Sequence, residues 1–384
     1  MTAYPLPLGF KGAGVAAGIK SSGAKDLSLI VNEGPLQVGT AVFTSNRVVA
    51  APVTWSKSVV VDGEVSAVVL NSGGANACTG PDGFVDTHRT AEYVAEKLDI
   101  SASDVVVCST GLIGIRLPMP ELLAGIDQAV AKLSTESGLE VAEGIMTTDS
   151  HPKVIATEES GVRFFGMAKG AGMLAPSLAT MLSVIATDAI VNIDSARSIF
   201  ADVVSRTYNR IDSDGCTSTN DTVLFMASGA SGIELSDDDL RKELMKVASY
   251  LSYELVADAE GHSKIVSIEV KGAASEADAV SIGRACARNN LLKCALHGED
   301  ANWGRVLAAV GTVDAEFDPY QIDVALNGIW VCKSSAPGED RSLANLSGDR
   351  IEIVINMNAG NESATIWTND LTAMYVHENS SYSS

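Results

Sequence analysis

Lys169-Gly-Ala-Gly-Met-Leu-Ala-Pro-Ser-Leu-Ala-Thr-Met181 is the stretch on which the reading of this chain turns. It sets Thr180 directly after a small residue, Ala179, at the head of the apolar run 181–185. A threonine in such a run ordinarily packs as a β-branched residue in a strand or buried helix. If the Ala179–Thr180 bond is cut, however, Thr180 gains a free α-amine beside its own hydroxyl. An α-amine titrates at about pH 7.7–8.0, close to where a general base works best. Threonine activated by its own terminal amine is an established route to covalent catalysis.

The surrounding chain sets bounds on that chemistry. With 384 residues it is long enough for two cores, or for one large core with insertions. A hydrophobic content of 46% against 20% charged residues is that of a globular protein rather than a disordered one. The formal net charge of −21, without a long basic run, would repel a phosphate backbone, so nucleic acid is not an expected partner. No segment approaches the roughly 18 uninterrupted apolar residues of a membrane span. The N-terminus lacks the basic and apolar regions of a secretory signal, so a cytoplasmic protein is expected. Cys78, Cys108, Cys216, Cys286, Cys294 and Cys332 are scattered without a Cys-x-x-Cys pair, which suits free, mostly buried thiols. The histidines lie far apart with no His-Glu-x-x-His, so no metal is expected.

Short β-branched runs at 27–31, 41–44, 58–61, 67–70 and 105–108 make the first hundred residues read as mostly strands. Helices are expected over 90–98 and 120–133, the latter with Pro120 in its first turn. Further strands are expected at 162–166, 182–191, 222–227, 265–270, 322–326, 351–355 and 374–377. The clearest helix runs from 236 to about 259: Ser236 caps it, and Leu240, Leu244, Val247, Leu251 and Leu255 form one apolar stripe. Another covers 276–289. Segments 134–144 and 335–343 read as flexible. Strands and helices come in runs rather than in regular alternation, which favours packed sheets with outer helices: an α/β fold of the α+β type, not a doubly wound nucleotide fold.

Glycine-rich turns carry little nucleotide signal. Gly12, Gly14 and Gly18 miss the Gly-x-Gly-x-x-Gly spacing, and the run 71–80 lacks a phosphate-loop Lys-Ser/Thr, so both read as tight turns or close backbone approaches. Ser109-Thr110-Gly111, at the end of a strand, is ordinarily a simple turn. A hydroxyl followed by a glycine N–H on rigid sheet also supplies two converging donors for a developing oxyanion, each worth about 3–4 kcal/mol. The polar run 214–222 is ordinarily a solvated turn, and can equally hold the polar ends of a substrate. Trp303 reads as a packing anchor at the entry to a helix. No Gly-x-Ser-x-Gly elbow occurs, which leaves Thr180 as the candidate nucleophile.

Taken jointly, eight segments resemble the ornithine acetyltransferase family, the glutamate N-acetyltransferases of the cyclic arginine pathway. They are Gly9-Phe-Lys-Gly-Ala-Gly-Val-Ala-Ala-Gly-Ile-Lys20, Ala75-Asn-Ala-Cys-Thr-Gly80, Ser109-Thr-Gly-Leu-Ile-Gly114 and Met146-Thr-Thr-Asp149, then 169–181, Ser218-Thr-Asn-Asp-Thr222, Asp258-Ala-Glu-Gly261 and Asn302-Trp-Gly-Arg305. The terminus from Tyr375-Val-His-Glu-Asn379 to Ser384 is similar as well.

The resemblance implies a precursor that cleaves itself between Ala179 and Thr180 into an α chain (1–179) and a β chain (180–384). It implies a self-processed, N-terminal-nucleophile-like acyltransferase fold, with two stacked β layers between helices and both chains contributing to one site. It implies ping-pong transfer of acetyl from N-acetylornithine through a Thr180 ester to glutamate, without a cofactor, acetyl-CoA being a candidate co-substrate. Thr110 and Gly111 match the oxyanion hole. Thr147 or its neighbour Thr148, Lys169, Thr180, Glu260, Asn379 and Ser384 match the substrate-binding positions. Lys169 suits the donor's carboxylate and Glu260 its ammonium, although such charges more often face water. An α2β2 heterotetramer or a larger assembly is implied. Cys216, where the family more often has an acidic residue, and His377-Glu378, where an apolar residue is common, bear on substrate preference.

Two other classes remain at this level. A self-processing N-terminal-threonine amidase or aminopeptidase would use the same nucleophile and pass the acyl group to water. A non-catalytic binding protein of mixed fold would stay a single chain.

Overall fold

The protein is described by a computed structural model over residues 4–174 and 181–381. The chain begins with β1 (Phe10–Val15), β2 (Leu27–Asn32) and β3 (Val38–Phe43), followed by α1 (Ala51–Val59), β4 (Ala67–Asn71), α2 (Gly80–Leu98) and β5 (Val105–Ser109). Next come α3 (Met119–Ala131), α4 (Gly138–Glu143), β6 (Lys153–Glu159), β7 (Val162–Lys169), β8 (Leu182–Thr187), α5 (Ile193–Arg206), β9 (Thr222–Ala227) and α6 (Asp237–Ala257). The remainder comprises β10 (Ile265–Ala273), α7 (Glu276–Ala287), α8 (Asn290–His297), α9 (Trp303–Val310), β11 (Asp323–Leu326), β12 (Ile329–Lys333), β13 (Ala336–Pro337), β14 (Arg350–Asn356), β15 (Glu362–Asn369) and α10 (Ala373–Ser381).

Two sheets stack face to face. One has the order β1-β2-β4-β5 and the other β3-β9-β8-β7-β6. Their central strands are buried on both faces, which is why they read as continuous apolar runs. Alternate residues serve different layers. Ile30, Val68, Leu70 and Val106 meet Phe165, Met167, Val184 and Leu224 between the sheets. Leu29, Val69 and Val107 point outward to Val94 of α2 and to Leu122 and Ile126 of α3. On the far side, Phe164, Ile185, Val223 and Phe225 pack on Phe200 of α5 and on Leu244, Val247 and Leu251 of α6.

Topology explains the placement of the outer helices. The pairs β4–β5 and β8–β9 are parallel, so each needs a crossover, supplied by α2 and α5. The result is the expected α/β architecture of two stacked β layers between helices. Unforeseen was a third sheet, β13-β12-β11-β14-β10-β15, whose Ile268, Val270, Ile353 and Ile355 pack on Ile282 of α7 and Val306 of α9. Trp303 packs against this core as the expected anchor. Among the described residues no helix is long and apolar enough to cross a membrane.

Several expectations need correction. Segment 58–61 is not a strand: its first residues close α1, which starts at Ala51 with Pro52 in its first turn and buries Val53, Ser56 and Val59 at helical spacing. The helix expected at 90–98 begins at Gly80, with Pro81 in its first turn. With α1 and α2 in place, the first hundred residues are not mostly strands. Segment 374–377 is helical, part of α10, because Thr372 Oγ1 accepts a hydrogen bond from Tyr375 N (2.9 Å) and caps the turn. Segment 134–144 is packed rather than loose: α4 buries Val141 and Ala142, and a Cβ on Gly14 would lie 1.8 Å from Glu140 O. Gly12 and Gly14 are therefore a close backbone approach as expected, but inside a strand, β1. Cys108, Cys286 and Cys332 are buried, whereas Cys78, Cys216 and Cys294 are exposed, so mostly buried thiols holds for half of them.

Candidate active site

The two stacked sheets end together, and the loops leaving them enclose an open cavity. The space within it, open solvent included, is about 610 Å³. Thr110, Gly111, Thr147, Thr148, Lys169, Glu260 and Asn379 all line it, along with Ala75, Ile113, Met173 and residues 218–220. Seven of the positions singled out in the sequence thus converge from five separate segments. Ala179, Thr180 and Ser384 lie outside the described residues.

Thr110 follows β5 and is fully buried. Its N–H donates to Asn71 O (2.9 Å), and it forms a bridge with Gly74. Gly111 comes next with φ +128°, a conformation that side chains rarely adopt, and a Cβ there would sit 2.8 Å from Gly74 N. Both the dihedral and the contact require glycine. Asn220 supports this corner from the opposite sheet: its side-chain amide donates to Ala75 O (2.6 Å) and to Ser109 O (2.8 Å). The run 214–222 is accordingly no solvated turn at its end, since residues 218–222 are buried.

Lys169, at the end of β7, is only 2% exposed. Its ammonium donates to Thr110 Oγ1 at 3.4 Å, linking the two sheets. Burial pushes the Lys169 ammonium down from its ordinary value; Asp149 and Asp221 draw it back up, and Lys153 and Lys20 push it further down. Asp149 accepts from Thr147 N (2.9 Å), Gly170 N (2.7 Å) and Lys153 Nζ (2.7 Å). Burial would raise its carboxyl, but Lys169, Lys153 and these hydrogen bonds outweigh it and hold it at about 2. The sequence reading missed Lys153 altogether, and its spacing of four from Asp149 was the sole local signal.

Thr148 Oγ1 donates to Glu260 Oε1 (2.7 Å), and Glu260 N donates to Ala171 O (2.9 Å), so the acid is tied to both neighbouring segments. Both threonines of the ambiguous pair border the cavity. Asn379 is brought to the rim by α10 and hydrogen-bonds back to Tyr375 O (3.1 Å). On the β8 side, Met181 N donates to Asp221 Oδ1 (2.9 Å), and Leu182 pairs with both Lys169 and Thr222. The chain therefore resumes after the undescribed segment at a point fixed beside Lys169. Burial raises the Asp221 carboxyl well above the usual range, opposed by the Met181 N–H and Lys169.

Chemically, the cavity combines a hydroxyl and a glycine at one corner, a buried cation, a carboxylate and several hydroxyls. That donor set suits a small zwitterionic or dicarboxylic molecule and an acyl group. The chain matches the family model described as the ArgJ family over residues 11–384. It is 56% identical over 377 residues to the arginine biosynthesis bifunctional protein ArgJ of Thermobifida fusca, covering 98% of each chain. The protein of the same name from Streptomyces avermitilis is 56% identical over 376 residues, again with 98% of each chain covered. Among solved structures, the arginine biosynthesis bifunctional protein argJ of Bacillus halodurans is 33% identical with a TM-score of 0.50, over 52% of this chain and 98% of that one. On this evidence the chain belongs to the ArgJ family.

Proposed function

We propose that this protein is a self-cleaving acetyltransferase that moves acetyl from N2-acetylornithine to glutamate, giving ornithine and N-acetylglutamate for arginine synthesis. The observation that carries the reading is the convergence of Thr110, Gly111, Thr147, Thr148, Lys169, Glu260 and Asn379 on one cavity, beside the start of β8.

In the maturation step the Thr180 hydroxyl attacks the Ala179 carbonyl and the peptide nitrogen leaves as the amine of Thr180. Water then hydrolyses the ester. The products are an α chain (1–179) ending in a carboxylate and a β chain (180–384) starting with a free amine. The solved Bacillus halodurans chain, covered over 98% of its length by 52% of this one, has the proportion of a piece cut near this point.

In transfer the freed amine takes the proton of the Thr180 hydroxyl as the oxygen attacks the acetamide carbonyl. The Thr110 hydroxyl and the Gly111 N–H receive the oxyanion, and the proton passes to the departing amine of ornithine. The amine of glutamate then attacks the acetyl ester by the reverse path. Lys169 balances the α-carboxylate and Glu260 the side-chain ammonium, while Thr147, Thr148, Asn379 and Ser384 complete the contacts. The name "bifunctional" carried by the relatives supports acetyl-CoA as a second acetyl donor. An α2β2 assembly of cleaved chains in the cytoplasm is the form in which we expect it to work.

The test is N-terminal sequencing of the purified protein together with a transfer assay. Wild type should show a new terminus at Thr180 and glutamate-dependent loss of N-acetylornithine without free acetate. Thr180→Ala should remain one chain and be inactive; full turnover by an unbroken chain would refute the mechanism. Acetate release unaffected by glutamate would indicate an amidase instead.

A further inference from the structure

Lys153 is the first residue of β6, and neither it nor Asp258 borders the active-site cavity. The Lys153 side chain is fully buried, as is that of Asp149, and Asp258 is 7% exposed. Burying an ammonium costs several kcal/mol unless it is paired and hydrogen-bonded. Here it is paired twice, to Asp149 Oδ1 at 2.7 Å and to Asp258 Oδ2 at 2.6 Å.

Both carboxylates brace the walls of the site from behind. Asp149 holds Thr147 N and Gly170 N, fixing the turn that bears Thr147 and Thr148 and the residue after Lys169. Asp258, at the end of α6, accepts from Ser150 N at 3.0 Å and from the Ser150 hydroxyl, and it lies two residues before Glu260. One ammonium therefore joins three of the segments that line the cavity, those bearing Lys169, Glu260 and the pair Thr147 and Thr148. Taking it away leaves two buried carboxylates facing one another, an unfavourable pairing that a separation of the segments would relieve.

We propose that Lys153 is a positioning residue for substrate: through Asp149 and Asp258 it sets the separation between Lys169 and Glu260, and so the length of the diamino-acid chain the site accepts. This rests on the acetyl-transfer reading above. The pair Lys169 and Glu260 would clamp the two ends of N-acetylornithine, and a fixed spacing makes that clamp selective among homologues.

The test compares wild type with Lys153→Met, Asp258→Asn and the double variant, using N-acetylornithine and its one-carbon-longer homologue N-acetyllysine as donors and glutamate as acceptor. Misplacement of a clamping group by 1 Å costs on the order of 10²-fold. We expect KM for N-acetylornithine to rise at least about tenfold in Lys153→Met, with kcat and self-cleavage near wild type and the preference over N-acetyllysine narrowed. The double variant should be no worse than the worse single variant, because the two residues act through one contact. If Lys153→Met fails to fold, the near-isosteric Asp258→Asn must show the same change in KM and preference. Unaltered KM and preference in folded variants would overturn the proposal. So would a fall in kcat, cleavage and thermal stability together at constant KM, which is the mark of a merely structural lysine. Absence of transfer by wild type would instead sink the functional reading, and this proposal with it.

Discussion

The ammonium of Lys169 stands 3.4 Å from the hydroxyl of Thr110, across the gap between the two stacked sheets. β7 delivers the first and β5 the second. If an oxyanion forms at this corner, as proposed, a buried cation beside it stabilises the negative charge more strongly than it would in water. The hydroxyl of Thr110 should therefore matter most when that charge develops. Thr110→Val, which keeps the shape and removes the hydroxyl, should lower kcat by about 10²–10³-fold with little change in KM. Steady-state kinetics on the purified variant checks this, and an unchanged kcat would refute the proposed oxyanion role of Thr110.

Gly111 has no room for a side chain. Gly111→Ala meets both a φ of +128° and a contact of 2.8 Å with Gly74 N, so the loop must shift. The loss of an aligned N–H donor should reduce kcat by about 10²-fold or more. The proposed self-cleavage would pass through a similar oxyanion and should slow as well, read as persistent precursor on a denaturing gel over time.

Glu260 is assigned to the donor's ammonium, and that can be separated from a general role. Glu260→Gln keeps the size of the side chain and the acceptor for Thr148 but removes the charge. We expect KM for N-acetylornithine to rise about 10–100-fold, an ion-paired hydrogen bond being worth roughly 1.5–3 kcal/mol. N-acetylnorvaline, which lacks the ammonium, should lose nothing. Equal losses for both donors would refute the assignment.

Asp149 supplies a pH signature. Its carboxyl titrates at about 2 in the folded protein, against about 3.9 for an unstructured chain. A lowered folded pKa contributes stability that is fully present above the unfolded value and is lost as pH falls through the folded one. The contribution is on the order of 2 kcal/mol at neutral pH. Wild type should therefore lose stability between about pH 4 and pH 2 more steeply than Asp149→Asn. Urea unfolding across that range reads the difference, and parallel curves would contradict it.

Much of the scaffold was legible because its strands carry strong local signals. The runs at 222–227 and 105–108 are apolar on both faces, and the stripe from Leu240 to Leu255 has helical period over many turns. Where the reading failed, short segments carried two signals in conflict. Tyr375 and Val376 favour strand, yet the cap at Thr372 and contact with Gly261 impose a helix. Val59 and Val60 look β-like, while a helix with Pro52 in its first turn had already started. Lys153 offered only its spacing of four from Asp149, since a lysine beside short β-branched residues usually points to water.

The order of residues alone was enough to specify the family and a mixed fold of packed sheets. Those properties are carried by motifs of a few neighbouring residues and by local periodicity. The resemblance grouped residues near 110, 148, 169, 260 and 379 in one site. Only the tertiary structure set them around one cavity, braced the Thr110 corner with Asn220, and placed a lysine outside the wall that ties three of those segments. Such contacts depend on which face of which strand meets the opposite sheet, a matter of long-range packing. The charge state of buried groups such as Asp149 and Lys169 follows from the same packing, because removal from water and the nearness of other charges exist only in the folded chain.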